Sequence, residues 1–302
     1  MRALVITASE GYLPGLHAFL NAFEYYENKN INVFILCSKG PSRTYAEFIE
    51  NKFSFLITPV FIEDYSDENI SIDGNCIWAK YKFIPTLTNY DSVCHLDADC
   101  LLLGNLESTF DFIEETKGLA GVKNNRSPYK FEDYKDRTLT VDYCLLQTLY
   151  NYPLFFSFNE HIDLMNYMWR CRDAENCSND PIIFNKSLFD LDKHKSFTPL
   201  SGDVWCGEGV FHSSTMRIAD KEKKIILNPN GDRMMIWHSR WWSNYTTLQF
   251  LNASKNYKNS YTFAKQNVDV GISIISFLSN NCTVTKKEFL TEHPECEYYF
   301  TR

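Results

Sequence analysis

Three short apolar runs dominate the first sixty residues: "RALVITAS" (2–9), "INVFILC" (31–37) and "FLITPVFI" (55–62). Each is rich in β-branched residues and reads as a strand buried on both faces. The intervals between them carry apolar residues at helical spacing. Leu13, Leu16, Leu20 and Phe23 recur along one face, with Pro14 in the first turn, where its missing N–H is not needed. "TYAEFIENKF" (44–53) fills the second interval, after the turn signal "SKGPS". Strand, helix, strand, helix, strand is the pattern of a parallel sheet with helices on both faces. The next stretch, "CIWAKYKFIPTLTNY" (76–90), predicts a helix bent or interrupted at Pro85, and "DSVCHLDAD" (91–99) a fourth strand. Farther on, "GLAGV" (118–122), "KKIILNP" (223–229) and "RMMIWHSRWW" (233–242) read as strands, and "VDYCLLQTLY" (141–150) as helical. From about residue 150 the chain is more aromatic and less regular, as expected of a substrate-facing half built onto the sheet.

Composition narrows the partners. The 302 residues carry a net charge of -8, which argues against nucleic acid as the main partner. An anionic ligand then calls for a metal ion or a local basic pocket. No apolar stretch reaches the length of a membrane span, and "MRALVITASEGY" does not read as a secretory signal. The ten cysteines form no CxxC and no zinc-finger spacing, so buried thiols in a reducing compartment are expected. Cys171 and Cys177 are near enough in sequence to pair. A cytoplasmic protein, with or without peripheral membrane attachment, is the expectation.

The fourth strand ends unusually. In "VCHLDADCLLLGNL" (93–106), Asp97 and Asp99 stand inside an otherwise apolar run. Unpaired buried carboxylates cost several kcal/mol, roughly, and two neighbours also repel. Residues i and i+2 of a strand project to one side, so the two acids can converge while the small Ala98 packs the other way. Carboxylates converging at the carboxyl end of a parallel strand, where ligands of such sheets bind, suit a hard divalent cation such as Mn2+ or Mg2+. A cation there turns repulsion into shared attraction.

With "WAKYKFIPTLTNYDSVCHLDADCLLLGNL" and the opening "LVITASEGYLPGLHAFLNAF", the chain resembles the nucleotide-sugar glycosyltransferases of GT-A fold. It is most similar to glycosyltransferase family 8, the glycogenin and lipopolysaccharide galactosyltransferase group. The likeness is good over roughly the first 125 residues and fragmentary beyond. It implies an α/β, Rossmann-like, mostly parallel sheet flanked by helices, in a single catalytic domain spanning 1–302. Residues 1–125 would form the nucleotide-sugar half, 126–245 an aromatic-rich acceptor side, and 246–302 a C-terminal extension.

The resemblance also implies roles. Thr7, Ala8 and Tyr12 would lie along the nucleotide, with Tyr12 offering a stacking face; otherwise it is a loop aromatic packed on the following helix. Lys80 would reach the diphosphate; otherwise it is an ordinary exposed helix lysine. Asp97 would contact ribose and metal, and Asp99 the metal directly. A late histidine would complete the metal site: His238 in "MMIWHSRWW", or His212 in "GVFHSS". His238 is preferred because it follows a strand and precedes Arg240, which can meet a phosphate bidentately. The family has glycine and Lys-Pro-Trp after this histidine, where "SRWWSN" stands here. Met235 also gives the segment a short likeness to the metal-binding Met and His of β-1,4-galactosyltransferases. In "CSNDPIIFN" (177–185), Asp180 would hydrogen-bond donor hydroxyls, although the family's Gln is Pro181 here. Asp180 as N-cap before Pro181 is compatible with that.

The implied reaction is transfer of a sugar, UDP-linked by preference, to an acceptor hydroxyl of a glycan, lipid or protein, with retention at the anomeric carbon. Inversion would need a carboxylate base, for which Asp203 and Glu208 stand near Trp205, itself suited to stacking on a sugar. A haloacid-dehalogenase phosphatase normally carries its DxD on the first strand, not the fourth. A sugar-nucleotide pyrophosphorylase would need a glycine-rich, Arg-containing loop where "TASEGY" stands. A catalytically silent sugar-binding module using Trp205, Trp237, Trp241 and Trp242 is the alternative outside enzymes.

Overall fold

A computed structural model describes residues 1–66, 72–98, 100–124, 149–174, 180–205, 217–220, 225–227, 231–238 and 284–301. Its centre is a seven-stranded sheet. The first half follows the sequence pattern: β1 (Arg2–Ala8), α1 (Leu13–Tyr25), β2 (Ile31–Cys37), α2 (Pro41–Ile49), β3 (Ile57–Phe61), α3 (Ile72–Phe83) and β4 (Ser92–Asp97). Pro85 ends α3, as its missing N–H requires, and the chain turns through a short 3-10 segment, Ile84–Thr86. Strands β3, β2, β1 and β4 are neighbours in that order and all parallel.

The chain continues through β5 (Cys100–Leu102), α4 (Glu107–Thr116), β6 (Leu119–Asn124), β7 (Leu149–Ser157), α5 (Phe158–Ala174), α6 (Asp180–Asp190), β8 (Phe197–Ser201) and α7 (Gly202–Trp205). The sheet order is β3-β2-β1-β4-β7-β6-β8, with β7 antiparallel to both its neighbours. Strand β7 corrects the sequence reading twice. Leu149 and Tyr150 open this strand instead of closing a helix, and the irregular-looking "LYNYPLFFS" lies inside the sheet. Pro153, which cannot donate to a ladder, hid it. The structure accommodates that residue at a bulge: Gly121 pairs with Leu154 but Val122 with Asn151, so Tyr152 and Pro153 are skipped. Residues 141–148 lie outside the described residues.

Strand alternation sorts the core into two layers. Leu4, Ile6, Ala8, Cys94 and Leu96 pack under α1, α2 and α4. Ala3, Val5 and Val93 pack on the opposite side, against Trp78 and Tyr81 of α3, Met165 and Met168 of α5, and Phe184 of α6. Cys37, Cys94 and Cys296 are buried thiols, and burial pushes the Cys37 thiol up to about 12. Cys177, near enough in sequence to pair with Cys171, lies outside the described residues. Two small pairings stand apart from the main sheet: β9 (Arg217–Asp220) with β10 (Ile225–Leu227), and β5 with β11 (Ile236–His238). Two short helices, α8 (Lys286–Glu292) and α9 (Glu297–Thr301), complete the described chain. No helix among the described residues is long and apolar enough to cross a membrane.

Candidate functional site

Strands β1 and β4 end side by side, with Thr7 in register with Asp97. Alternation then decides what each residue faces. Ala8 and Ala98 are buried in the α1 layer, whereas Thr7, His95 and Asp97 fall on the α3 side together with Val5 and Val93. Asp97 is half-buried and Ala98 only 3% exposed, so the two neighbours part as the period-two pattern requires.

Lys80 comes to this same side from α3. It is 3% exposed, which rules out the ordinary surface lysine. Burial first, and the charge of Lys80 second, hold the His95 ring well below the usual imidazole range, so His95 is neutral. His95 was passed over in the sequence, although its position two residues before Asp97 already placed the pair on one strand face. Thr7 adds an unusual feature: among the described residues its hydroxyl oxygen is buried without a hydrogen-bond partner. Such a group ordinarily costs about 1–3 kcal/mol.

The loop after β1 is a 3-10 turn, Glu10–Tyr12, closed by Tyr12 N–H donating to Ser9 O at 3.0 Å. Tyr12 is half-buried and rests on the α1 layer of the core. The Glu10 carboxylate reaches Gly40, the last residue of the turn after β2 and the N-cap of α2; a Cβ on Gly40 would stand 2.7 Å from Glu10 Oε1.

Beyond Asp99, the strand β5 pairs antiparallel with β11, and the register sets His238 opposite Cys100, Trp237 opposite Leu101 and Ile236 opposite Leu102. Main-chain bonds extend the seam: Leu103 N–H donates to Met235 O at 2.8 Å, and Met235 N–H donates to Val204 O at 2.7 Å. Arg233 Nη2 donates to Leu103 O at 2.7 Å. Met235 turns its sulfur toward Gly104, 2.6 Å from where a Cβ would be, so this thioether is packed against the β5 arm. The fold thus brings the main chain of His238 beside the residue that follows Asp99, and the α7 turn containing Asp203 beside β11.

Other expected residues stand differently. Trp205 is half-buried with its ring edge-on to Phe155, centroids 5.6 Å apart, and packs on the core. Asp180 is the first residue of α6 and Pro181 the second, so Asp180 stands one position inside the N-cap expected of it. Asp99, Glu208, His212, Arg240, Trp241 and Trp242 lie outside the described residues, and only the main chain of Asp180, Asp203, Trp237 and His238 is described. Among the described residues no group of three or more His, Cys, Asp and Glu side chains could hold a metal ion. The chemistry nearby nevertheless suits a cation-bound anion: an acid at a strand end, an orphaned hydroxyl beside it and a buried lysine on the same side.

No family model and no curated protein sequence matches the chain. Solved structures do. Galactosyltransferase LgtC, in complex with donor and acceptor sugar analogues, superposes with a TM-score of 0.58 at 13% identity, over 96% of this chain and 99% of that one. An active-site mutant of LgtC gives 0.57 at 14% identity, over 95% and 98%. The bifunctional glycosyltransferase WbbM gives 0.53 at 16% identity, over 70% of this chain but only 41% of the WbbM chain. A seven-stranded mixed sheet matched along nearly the whole length of LgtC fixes the architecture: this chain has the GT-A fold of the glycosyltransferases.

Proposed function

We propose that this protein is a metal-dependent glycosyltransferase that moves a sugar from a nucleotide-sugar donor, UDP-linked by preference, to an acceptor hydroxyl with retention. The observation that carries the reading is the β5–β11 register, in which His238 lies opposite Cys100, next in sequence to Asp99. Asp97, Asp99 and His238 would hold Mn2+ or Mg2+. When bound, such a cation offsets the negative charge that builds on the leaving diphosphate. Lys80 and Arg240 add positive charge toward the same phosphates. Thr7, the Ala8 main chain and Tyr12 line the nucleotide side, and Asp180 orients the donor sugar. The acceptor is a glycan, lipid or protein, reached from residues 126–245, and the site of action is the cytoplasm or its membrane surface. Retention needs no strong protein base, because the leaving phosphate oxygen can take the acceptor's proton. An inverting enzyme would instead use Asp203 or Glu208 as base.

A panel of UDP- and GDP-sugars with Mn2+ tests this. Turnover or tight binding of at least one donor is expected, and a blank across the panel removes the transferase reading in favour of a silent binding module. Asp99→Asn should reduce metal-dependent turnover by at least about 100-fold, the scale on which one electrostatic stabiliser of a transition state acts. The same variant should keep the wild-type melting temperature. Unchanged activity in it would remove the metal assignment.

A further inference from the structure

Thr7 presents a hydroxyl oxygen that is buried and, among the described residues, makes no hydrogen bond. Folded proteins rarely leave such a group unpaired without a use for it. Its neighbour in register on the adjoining parallel strand is Asp97. Adjacent strands run about 4.8 Å apart, and both side chains are on the α3 side of the sheet. Rotation about one side-chain bond of each therefore brings Thr7 Oγ1 within reach of a carboxylate oxygen. Val5, one step down β1 on the same side, is apolar and fully buried. A valine of the same shape at position 7 would satisfy the packing, so packing alone does not call for the hydroxyl.

Resting on the reading of Asp97 as a ligand, we infer that Thr7 is the positioning residue for this carboxylate. The hydroxyl donates to Asp97 once the carboxylate turns toward a cation and its nucleotide, and it fixes the orientation of the remaining oxygen. The hydrogen bond belongs to the loaded state, so Thr7 trades resting stability for affinity. That gives two readouts of opposite sign, which a purely structural threonine cannot produce.

The test compares wild type, Thr7→Val and Thr7→Ser by thermal melting without ligand and by Mn2+ titration at saturating UDP, followed by the electron spin resonance of free Mn2+. In Thr7→Val the melting temperature is expected to hold or rise, and the Mn2+ dissociation constant to increase roughly 5- to 30-fold. Thr7→Ser should stay within about threefold of wild type. An unchanged Mn2+ constant with weaker UDP binding at saturating Mn2+ would mean that the hydroxyl serves the nucleotide alone and does not position Asp97, and overturns the inference. A melting temperature lowered by several degrees in Thr7→Val overturns it as well, since the hydroxyl would then be structural. Wild-type protein that binds no Mn2+ with UDP overturns the site reading itself, a result distinct from either.

Discussion

His17 lies on α1 with its ring buried between Tyr45 and Asn21. The Asn21 amide donates to Nε2 at 3.3 Å, so Nδ1 carries the proton and donates to the Tyr45 hydroxyl oxygen at 2.7 Å. Burial first, and the charge of Lys286 second, push this imidazole down to about 4. The unfolded chain therefore takes up a proton near pH 6.5 that the folded chain refuses until about pH 4. Stability is full above the unfolded value and falls as pH drops through that window. At about 1.4 kcal/mol per unit the loss is about 3 kcal/mol. His95 and His161, both held low chiefly by burial, act with the same sign. Urea denaturation at pH 7 and pH 4.5 should show the fall, and His17→Gln, which does not titrate, should make it shallower. At this scale much was legible: the period of two in "CHLDAD" separates Asp97 from Ala98 and joins it to His95. Burial of Lys80 was not legible, because a lysine in "WAKYKF" has the same local pattern whether the helix face meets water or a sheet.

Among the elements, the strand-helix alternation of the first half was legible from local signals, and elements that depend on distant partners were not. Helix α8 begins at a capping box: the Thr285 side chain accepts from Glu288 N–H at 3.1 Å, while Glu288 accepts from Thr285 N–H at 2.7 Å. Thr285→Ala should cost about 1 kcal/mol in chemical denaturation. The turn after β2 depends on Gly40, whose φ of +103 is closed to side-chain-bearing residues. Gly40→Ala also brings a Cβ against Glu10 Oε1. A loss of about 1–3 kcal/mol is expected, measured the same way. Both features have sequence signatures, Thr-x-x-Glu and a glycine in "SKGPS". Strand β7 had a misleading one, since Pro153 disqualifies a central strand unless a bulge receives it. Strand β5 had none; "CLLL" becomes a strand only because β11 arrives to pair with it.

In the whole molecule, the C-terminal helices seal the α1 layer. Phe289 and Phe300 are buried against Tyr45 of α2 at ring centroid distances of 5.0 Å and 6.0 Å, and Phe300 also meets His17. Phe289→Ala should therefore cost about 3–5 kcal/mol, read as a shift of the denaturation midpoint with unchanged slope. Residues 284–301 thus help to hold the first βαβ unit together, a task that nothing in their own composition announces. The sequence by itself determined the alternation of buried strands and helices in the first half, the parallel half of the sheet and the strand end carrying Asp97. All of these follow from patterns a few residues long, through side-chain periodicity and backbone sterics. Only the tertiary structure decided that β7 enters the sheet antiparallel, that Lys80 is buried beside His95, that the Thr7 hydroxyl has no hydrogen-bond partner among the described residues, next to Asp97, and that β11 lies along β5. Those arrangements join segments far apart in the chain, and what selects them is pairing and burial in the folded whole, which no local pattern encodes.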